Sequence, residues 1–130
     1  WVEDTIFNSR DVKLAVCDIN TGKYIGNVYM TDINQLNRTC VSHILIGDKS
    51  YWGQGYAKEA LMLALDYMFN ERNMNRVQAI VLESNVASLK MHQKCGYQID
   101  GLLRQSVYKN GKYQNQYVLS LLKEDYLKLG

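Results

Sequence analysis

The stretch Ile44–Glu59, ILIGDKSYWGQGYAKE, constrains the fold of this chain more than any other. An apolar, β-branched run over Cys40–Ile46 breaks at Gly47 into a turn through Ser50. Gly53 and Gly55 follow, and from Tyr56 the pattern is helical. A strand that passes through a glycine turn into a helix leaves several backbone N–H groups unpaired and aimed the same way. The helix dipole adds partial positive charge there, so the natural tenant is a phosphate or another anion. Glycine, lacking Cβ, lets a bulky anion approach the backbone. No Lys-Ser or Lys-Thr follows the glycines and there is no GxGxxG, so neither the P-loop nor the dinucleotide fingerprint is met. A surface turn entering a helix is the alternative reading of the same residues.

The pattern on either side is mixed. Trp1–Arg10 reads as a short helix or irregular lead-in, Val12–Ile19 as a strand, Asn20–Lys23 as a tight turn, and Tyr24–Thr31 as the returning arm of a hairpin. Asp32–Asn37 reads as a polar connection before the strand at Thr39–Ile46. From Tyr56 to about Asn70, Ala57, Ala60, Leu61, Ala64, Leu65, Met68 and Phe69 recur at helical spacing, so this helix packs on the sheet. Arg76–Glu83 is a nearly continuous apolar strand, as a buried one should be. The helical crossover between Ile46 and Val77 lets these two strands run parallel. Asn85 can cap a short helix through Lys94 that Gly96 ends. Two further strands, Tyr97–Tyr108 and Lys112–Leu122, meet at the hairpin signal Asn110–Gly111, and Glu124–Leu129 is a short tail.

Composition excludes several function classes. At 130 residues, with 47% apolar and 22% charged residues, residues 1–130 form a single globular domain. A net charge of +2, spread along the chain, argues against nucleic acid or an anionic membrane as partner. Cys17, Cys40 and Cys95 are far apart with no CxxC, which suits reduced thiols in a cytoplasmic protein. His43 and His92 have no neighbouring acidic cluster, so no metal site is expected.

A second constellation follows the buried strand. Asn85, Ser88 and His92 are spaced three and then four apart, on one stripe of a helix. Such a polar stripe can face a ligand; a solvated face with an N-cap is the alternative.

WGQGYA (Trp52–Ala57) resembles the pyrophosphate-binding turn of the Gcn5-related N-acetyltransferases, the GNAT family, with Trp52 at a position usually held by Gln or Arg. Downstream, NVASLKMHQKCGY (Asn85–Tyr97) is similar to the family segment in which Asn follows the fifth strand and the helix ends in Gly-Phe or Gly-Tyr. The likeness extends from about Val12 to Tyr126 and is nearest in character to the spermidine and ribosomal-protein N-terminal acetyltransferase branch. Motif, order and coarse element sequence agree.

The resemblance implies a mixed α/β fold. A mostly antiparallel central sheet would carry one parallel pair around the cofactor cleft, with flanking helices. Only Trp1–Asp11 precede Val12, so the N-terminal strand and helices with which relatives usually begin are expected to be missing. The implied activity is transfer of acetyl from acetyl-CoA to a primary amine by direct attack in a ternary complex. Backbone N–H groups of Gln54, Gly55, Tyr56 and Ala57 would hold the pyrophosphate. The backbone of Ile44, Leu45 and Ile46 would pair with the pantetheine arm, and Asn85 would bond it with Ser88 nearby.

His92 stands where many relatives place a Tyr as general acid, and an imidazole can donate to a departing thiolate; a packed histidine is the alternative. The acid that relatives carry near the start of the strand is Val41 here. His43, two residues on and on the same strand face, is the candidate general base, with Asp32 through water as another route. The acceptor is a small molecule or peptide amine: a polyamine, an amino sugar or a protein N-terminus. Oligomerisation through the C-terminal hairpin is expected from its open edges. A non-catalytic coenzyme A-binding sensor or assembly module is the competing function, and turnover with any amine separates the two.

Overall fold

The computed structural model describes residues 2–5, as a backbone strand, and 11–129. Its strands are β1 (Val2–Thr5), β2 (Val12–Cys17), β3 (Tyr24–Asn34), β4 (Thr39–Ile46), β5 (Arg76–Leu82), β6 (Gln98–Lys109) and β7 (Lys112–Leu122). They form one sheet in the order β1-β2-β3-β4-β5-β7-β6. Every neighbouring pair is antiparallel except β4 and β5. The helices are α1 (Tyr56–Asp66), α2 (Val86–Lys94) and α3 (Lys123–Lys128). The mixed α/β sheet with a single parallel pair is the fold the sequence pattern implies.

Alternation decides which face is covered. Val12, Leu14 and Val16 on β2, Val28 and Met30 on β3, and Val77, Ala79 and Val81 on β5 are all buried. They meet Ala60, Leu61, Ala64 and Leu65 of α1 and Met68 and Phe69 beyond it in one core. Each Val, Leu, Met or Phe side chain among them contributes about 1.5–3 kcal/mol on burial, and each Ala less. The intervening residues face the other side of the sheet, where His43, Leu45 and Ile80 are exposed.

Several boundaries differ from the sequence pattern. Within Trp1–Arg10, the part that lies among the described residues is a strand, β1, paired with β2, and no helix. β3 continues through Asn34 where a polar connection was expected, because a bulge with Asp32 at φ 51 carries the chain on in the ladder. α1 stops at Asp66 and widens into a π-turn over Tyr67–Glu71, where the Arg72 N–H reaches back to the Tyr67 carbonyl at 3.0 Å. The tail is helical, held by Tyr126, whose hydroxyl donates to Asp66 at 2.9 Å and whose ring packs 5.0 Å from that of Phe69.

Candidate active site

The parallel pair is short. β4 and β5 are in register only over Thr39–Val41 and Arg76–Gln78, although both strands run on, to Ile46 and Leu82. Past that point β5 stays paired with β7 and β4 with β3. The two strands therefore part towards their carboxyl ends, opening a V in the middle of the sheet. Ligands of open α/β sheets sit at such carboxyl ends.

The walls follow from the ladder. Gly47 N–H donates to the Ile25 carbonyl of β3 at 2.9 Å. By alternation Leu45 and His43 turn their backbone groups to β3 as well, whereas Ile44 and Ile46 turn theirs to the open side. Of the three β4 residues expected to pair with a pantetheine arm, Ile44 and Ile46 thus face the V through their backbone, whereas Leu45 spends its backbone groups on Asn27 of β3. The Ile46 carbonyl already accepts the Trp52 indole N–H at 2.7 Å, which leaves Ile44 as the freest rung.

The loop between β4 and α1 is braced from several sides. Asp48 accepts from Lys23 Nζ at 2.7 Å and from the Ser50 hydroxyl and amide at 2.6 and 3.0 Å. The Lys23 ammonium and then Ser50 hold the Asp48 carboxyl down at about 2. The Tyr51 hydroxyl donates to the buried Asp18 at 2.7 Å, and Gln54 Nε2 donates to the Ser50 carbonyl at 2.6 Å. Gly55, at φ 83, caps α1 with no side-chain bond, and the first helical bond inward runs from Glu59 N–H to the Gly55 carbonyl. The amides of Tyr56, Ala57 and Lys58 precede it, so this end of the helix offers unpaired donors and the positive end of a dipole. Such a helix end suits an anion.

At the other wall, Asn85 caps α2 by accepting the Ser88 N–H at 3.1 Å. Along the stripe Asn85 is exposed and Ser88 half-buried, but two turns on His92 is only 4% exposed, so the stripe runs from solvent into the core. Its Nδ1 lies 2.8 Å from the Ser88 carbonyl, which can only accept. Nδ1 therefore carries the proton, and in the neutral ring Nε2 keeps the lone pair. Burial pushes the His92 pKa below the usual 6.5, with the Ser88 carbonyl opposing the shift. The ring stands edge-on to that of Tyr97, centroids 5.0 Å apart.

Tyr97 is itself buried, and its hydroxyl lies 2.9 Å from Ser42 Oγ. Ser42 Oγ in turn donates to the Gln78 carbonyl at 3.3 Å, where the strand pairing ends. Ser42 and Tyr97 thus form the floor of the V. Neither was singled out by spacing; the hydroxyl that Tyr adds to the Gly-Phe/Tyr ending is the signal that was there to read.

His43 stands on the opposite face of the sheet from Ser42 and is exposed. Its Nε2 is 2.9 Å from Thr31 Oγ1, and that hydroxyl donates to Asp32 at 3.3 Å. Since the threonine proton goes to Asp32, His43 Nε2–H is the donor to Thr31 and Nδ1 keeps the lone pair. The two acid–base candidates, His43 and Asp32, are joined through Thr31, a residue that no motif or spacing marks. Val41 lies directly across from Thr31 in the ladder. Cys40 and Cys95 are buried, and burial raises their thiols to about 12 and about 11, so neither rests as a thiolate.

A splayed parallel pair, an anion cradle after the first strand and a capped helix after the second accord with the sequence motifs. Residues 1–98 match the acetyltransferase (GNAT) domain family. The chain belongs to the GNAT family. It is 33% identical over 126 residues to a probable N-acetyltransferase of Bacillus subtilis, YjcK, covering 95% of this chain and 68% of that protein. It is 31% identical over 111 residues to the spermidine N(1)-acetyltransferase of Escherichia coli K12, covering 85% of this chain and 58% of that one. A mutant form of spermidine N-acetyltransferase SpeG from Vibrio cholerae superposes with a TM-score of 0.88 at 26% identity, over 95% of this chain and 72% of that chain. This GNAT chain is accordingly an acetyl-CoA-dependent N-acetyltransferase.

Proposed function

We propose that the enzyme acetylates a primary amine by direct attack within a ternary complex, with a polyamine as acceptor class. The observation that carries this reading is the V between β4 and β5. It has an anion cradle at its mouth and a histidine on either side of the sheet near its apex. The polyamine class is supported by the relatives that are spermidine acetyltransferases.

Acetyl-CoA supplies the activated acyl group. The backbone amides of Gln54, Gly55, Tyr56 and Ala57 would bind its pyrophosphate, and the open rung at Ile44 and the Ile46 N–H, together with the Asn85 NH2 group, would align its arm. Asn85 keeps that NH2 free because its amide oxygen serves the helix cap. The Ser88 carbonyl fixes the His92 tautomer.

An alkylammonium has a pKa of about 10 and must lose a proton before it attacks. His43 Nδ1 takes that proton, and Thr31 and Asp32 hold the ring and offset its charge. The amine nitrogen bonds to the acyl carbon and the carbon–sulfur bond breaks. His92 rests neutral, so it acts first as an acceptor at Nε2. It takes the second proton from the nitrogen of the adduct and returns it to the departing sulfur, so it is a shuttle more than a resting acid. The buried thiols of Cys40 and Cys95 favour this route over a cysteine acyl carrier.

Calorimetric titration of the native chain and a Gly55→Glu variant with acetyl-CoA, followed by thiol release with spermidine and other amines, tests the reading. Binding lost in the variant, with turnover by the native chain, is expected. A folded native chain that binds without turning over any amine would instead favour a coenzyme A-binding module.

A further inference from the structure

The apex of the V is closed by a side-chain chain of bonds as well as by main-chain pairing. The Ser42 hydroxyl has one proton and gives it to the Gln78 carbonyl, so it receives a hydrogen bond from the Tyr97 hydroxyl. Tyr97, Ser42 and His92 are 3%, 4% and 4% exposed, and Ser42 and Tyr97 are 55 residues apart in sequence. The Tyr97 N–H also donates to the His92 carbonyl at 3.1 Å, and the two rings meet edge to face. One residue therefore touches the last turn of α2, the catalytic-side histidine and, through Ser42, both strands at the point where they part.

We infer that Tyr97 is a positioning residue for acetyl transfer: its hydroxyl, donated to Ser42, holds β4 at the apex of the cleft and fixes the stance of the His92 ring. The inference rests on the acetyltransferase reading above. A phenylalanine fills nearly the same volume, so packing alone does not call for the hydroxyl. A buried hydroxyl is costly unless it is bonded, and here it is bonded to the first β4 residue beyond the parallel register. Reacting groups tolerate little displacement, since about 1 Å of misplacement can cost on the order of a hundredfold in rate. The coenzyme-binding loop lies at the mouth of the V, away from this link, so the loss should fall on the transfer step and spare coenzyme binding.

The test compares the native chain with Tyr97→Phe, Ser42→Ala and the double variant. Tyr97→Phe is expected to lower kcat about tenfold, the worth of one hydrogen bond, with KM for acetyl-CoA within about twofold of native. Ser42→Ala should give a similar loss, and the double variant little more, because both substitutions break one link. Hydrogen exchange at the Ser42 and Gln78 amides should quicken about tenfold while the global denaturation midpoint moves little.

Faster exchange with kcat and KM unchanged would make Tyr97 merely structural and overturn the inference. A fall in kcat with unchanged exchange would also overturn it, since the hydroxyl would then act on the reacting atoms directly. If the native chain binds acetyl-CoA but turns over no amine, the functional reading fails. The exchange measurement still decides whether the clamp exists. Should Tyr97→Phe not fold, Ser42→Ala breaks the same bond from the other side.

Discussion

Trp52 donates its indole N–H to the Ile46 carbonyl at 2.7 Å, tying the glycine loop back onto the end of β4. The ring is half-exposed, with Lys49 Nζ 5.8 Å from its centroid. The ring thus straps the loop to the strand it follows.

Trp52→Phe keeps a ring but removes the bond, so the loop should lose some of its fixed shape. One hydrogen bond is worth about 0.5–1.5 kcal/mol, which corresponds to a rise of about two- to tenfold in KM for acetyl-CoA. The loop is remote from the apex, so kcat should hold. Steady-state kinetics check this, and a fall in kcat at constant KM would show that the strap serves the transfer step.

Burial of His92 makes stability depend on pH with a definite sign. Its folded pKa lies below the ordinary 6.5 because the charged ring is poorly solvated. The unfolded chain then binds more protons between the two values, so stability falls as pH drops through 6.5 towards the folded value. Above 6.5 the ring is neutral in both states and contributes no pH dependence. Urea denaturation at pH 7.5 and pH 5 should show a larger acid loss for the native chain than for His92→Gln. Equal losses would mean that the ring is charged at little cost in the folded state.

His43 is expected to matter most when the acceptor is charged. With His43→Ala, kcat/KM for an alkylamine at pH 7 should fall about a hundredfold, at the low end of what general bases contribute. The deficit should narrow as pH approaches about 10, where the amine supplies its own neutral form. Thr31→Val, which cuts the link between His43 and Asp32, should give a smaller loss of the same shape. A pH–rate profile decides, and a deficit constant with pH would rule out proton removal as His43's task.

Local features of the site were legible because their cause is local. Asn85 as a cap and Gly55 at a helix start depend on a few consecutive residues, and both stand where the spacing puts them. Long-range features were not. The Ser42–Tyr97 bond joins residues from separate elements, and nothing in the spacing of either reports the other. His92 shared a helical stripe with Asn85 and Ser88, yet the helix turns that stripe inward at its last turn, so a polar pattern concealed a buried ring. The continuation of β3 through Asp32 was hidden for a related reason. A run of Thr, Asp and Asn reads as a loop by composition, while the ladder to β4 overrides it through a bulge.

Gly26 and Gly47 sit near the mouth of the V, and the same substitution should be costly at the first and nearly neutral at the second. A Cβ on Gly26 would meet the Leu45 carbonyl oxygen at 2.1 Å and the Ile46 Cα at 2.9 Å, and both are backbone atoms. They can yield only if β4 moves away from β3. A Cβ on Gly47 would meet nothing within 4 Å, and its φ lies outside the left-handed region. Gly26→Ala should therefore cost about 3 kcal/mol, the upper range for forced overpacking. Gly47→Ala should stay within about 0.5 kcal/mol of native. Because Leu45 and Ile46 belong to the cleft wall, the folded fraction of Gly26→Ala should also show a raised KM for acetyl-CoA, and Gly47→Ala should not. Urea denaturation with parallel kinetics measures both. A Gly26→Ala protein as stable as native would mean that β3 and β4 are less closely apposed at Leu45 than the register requires.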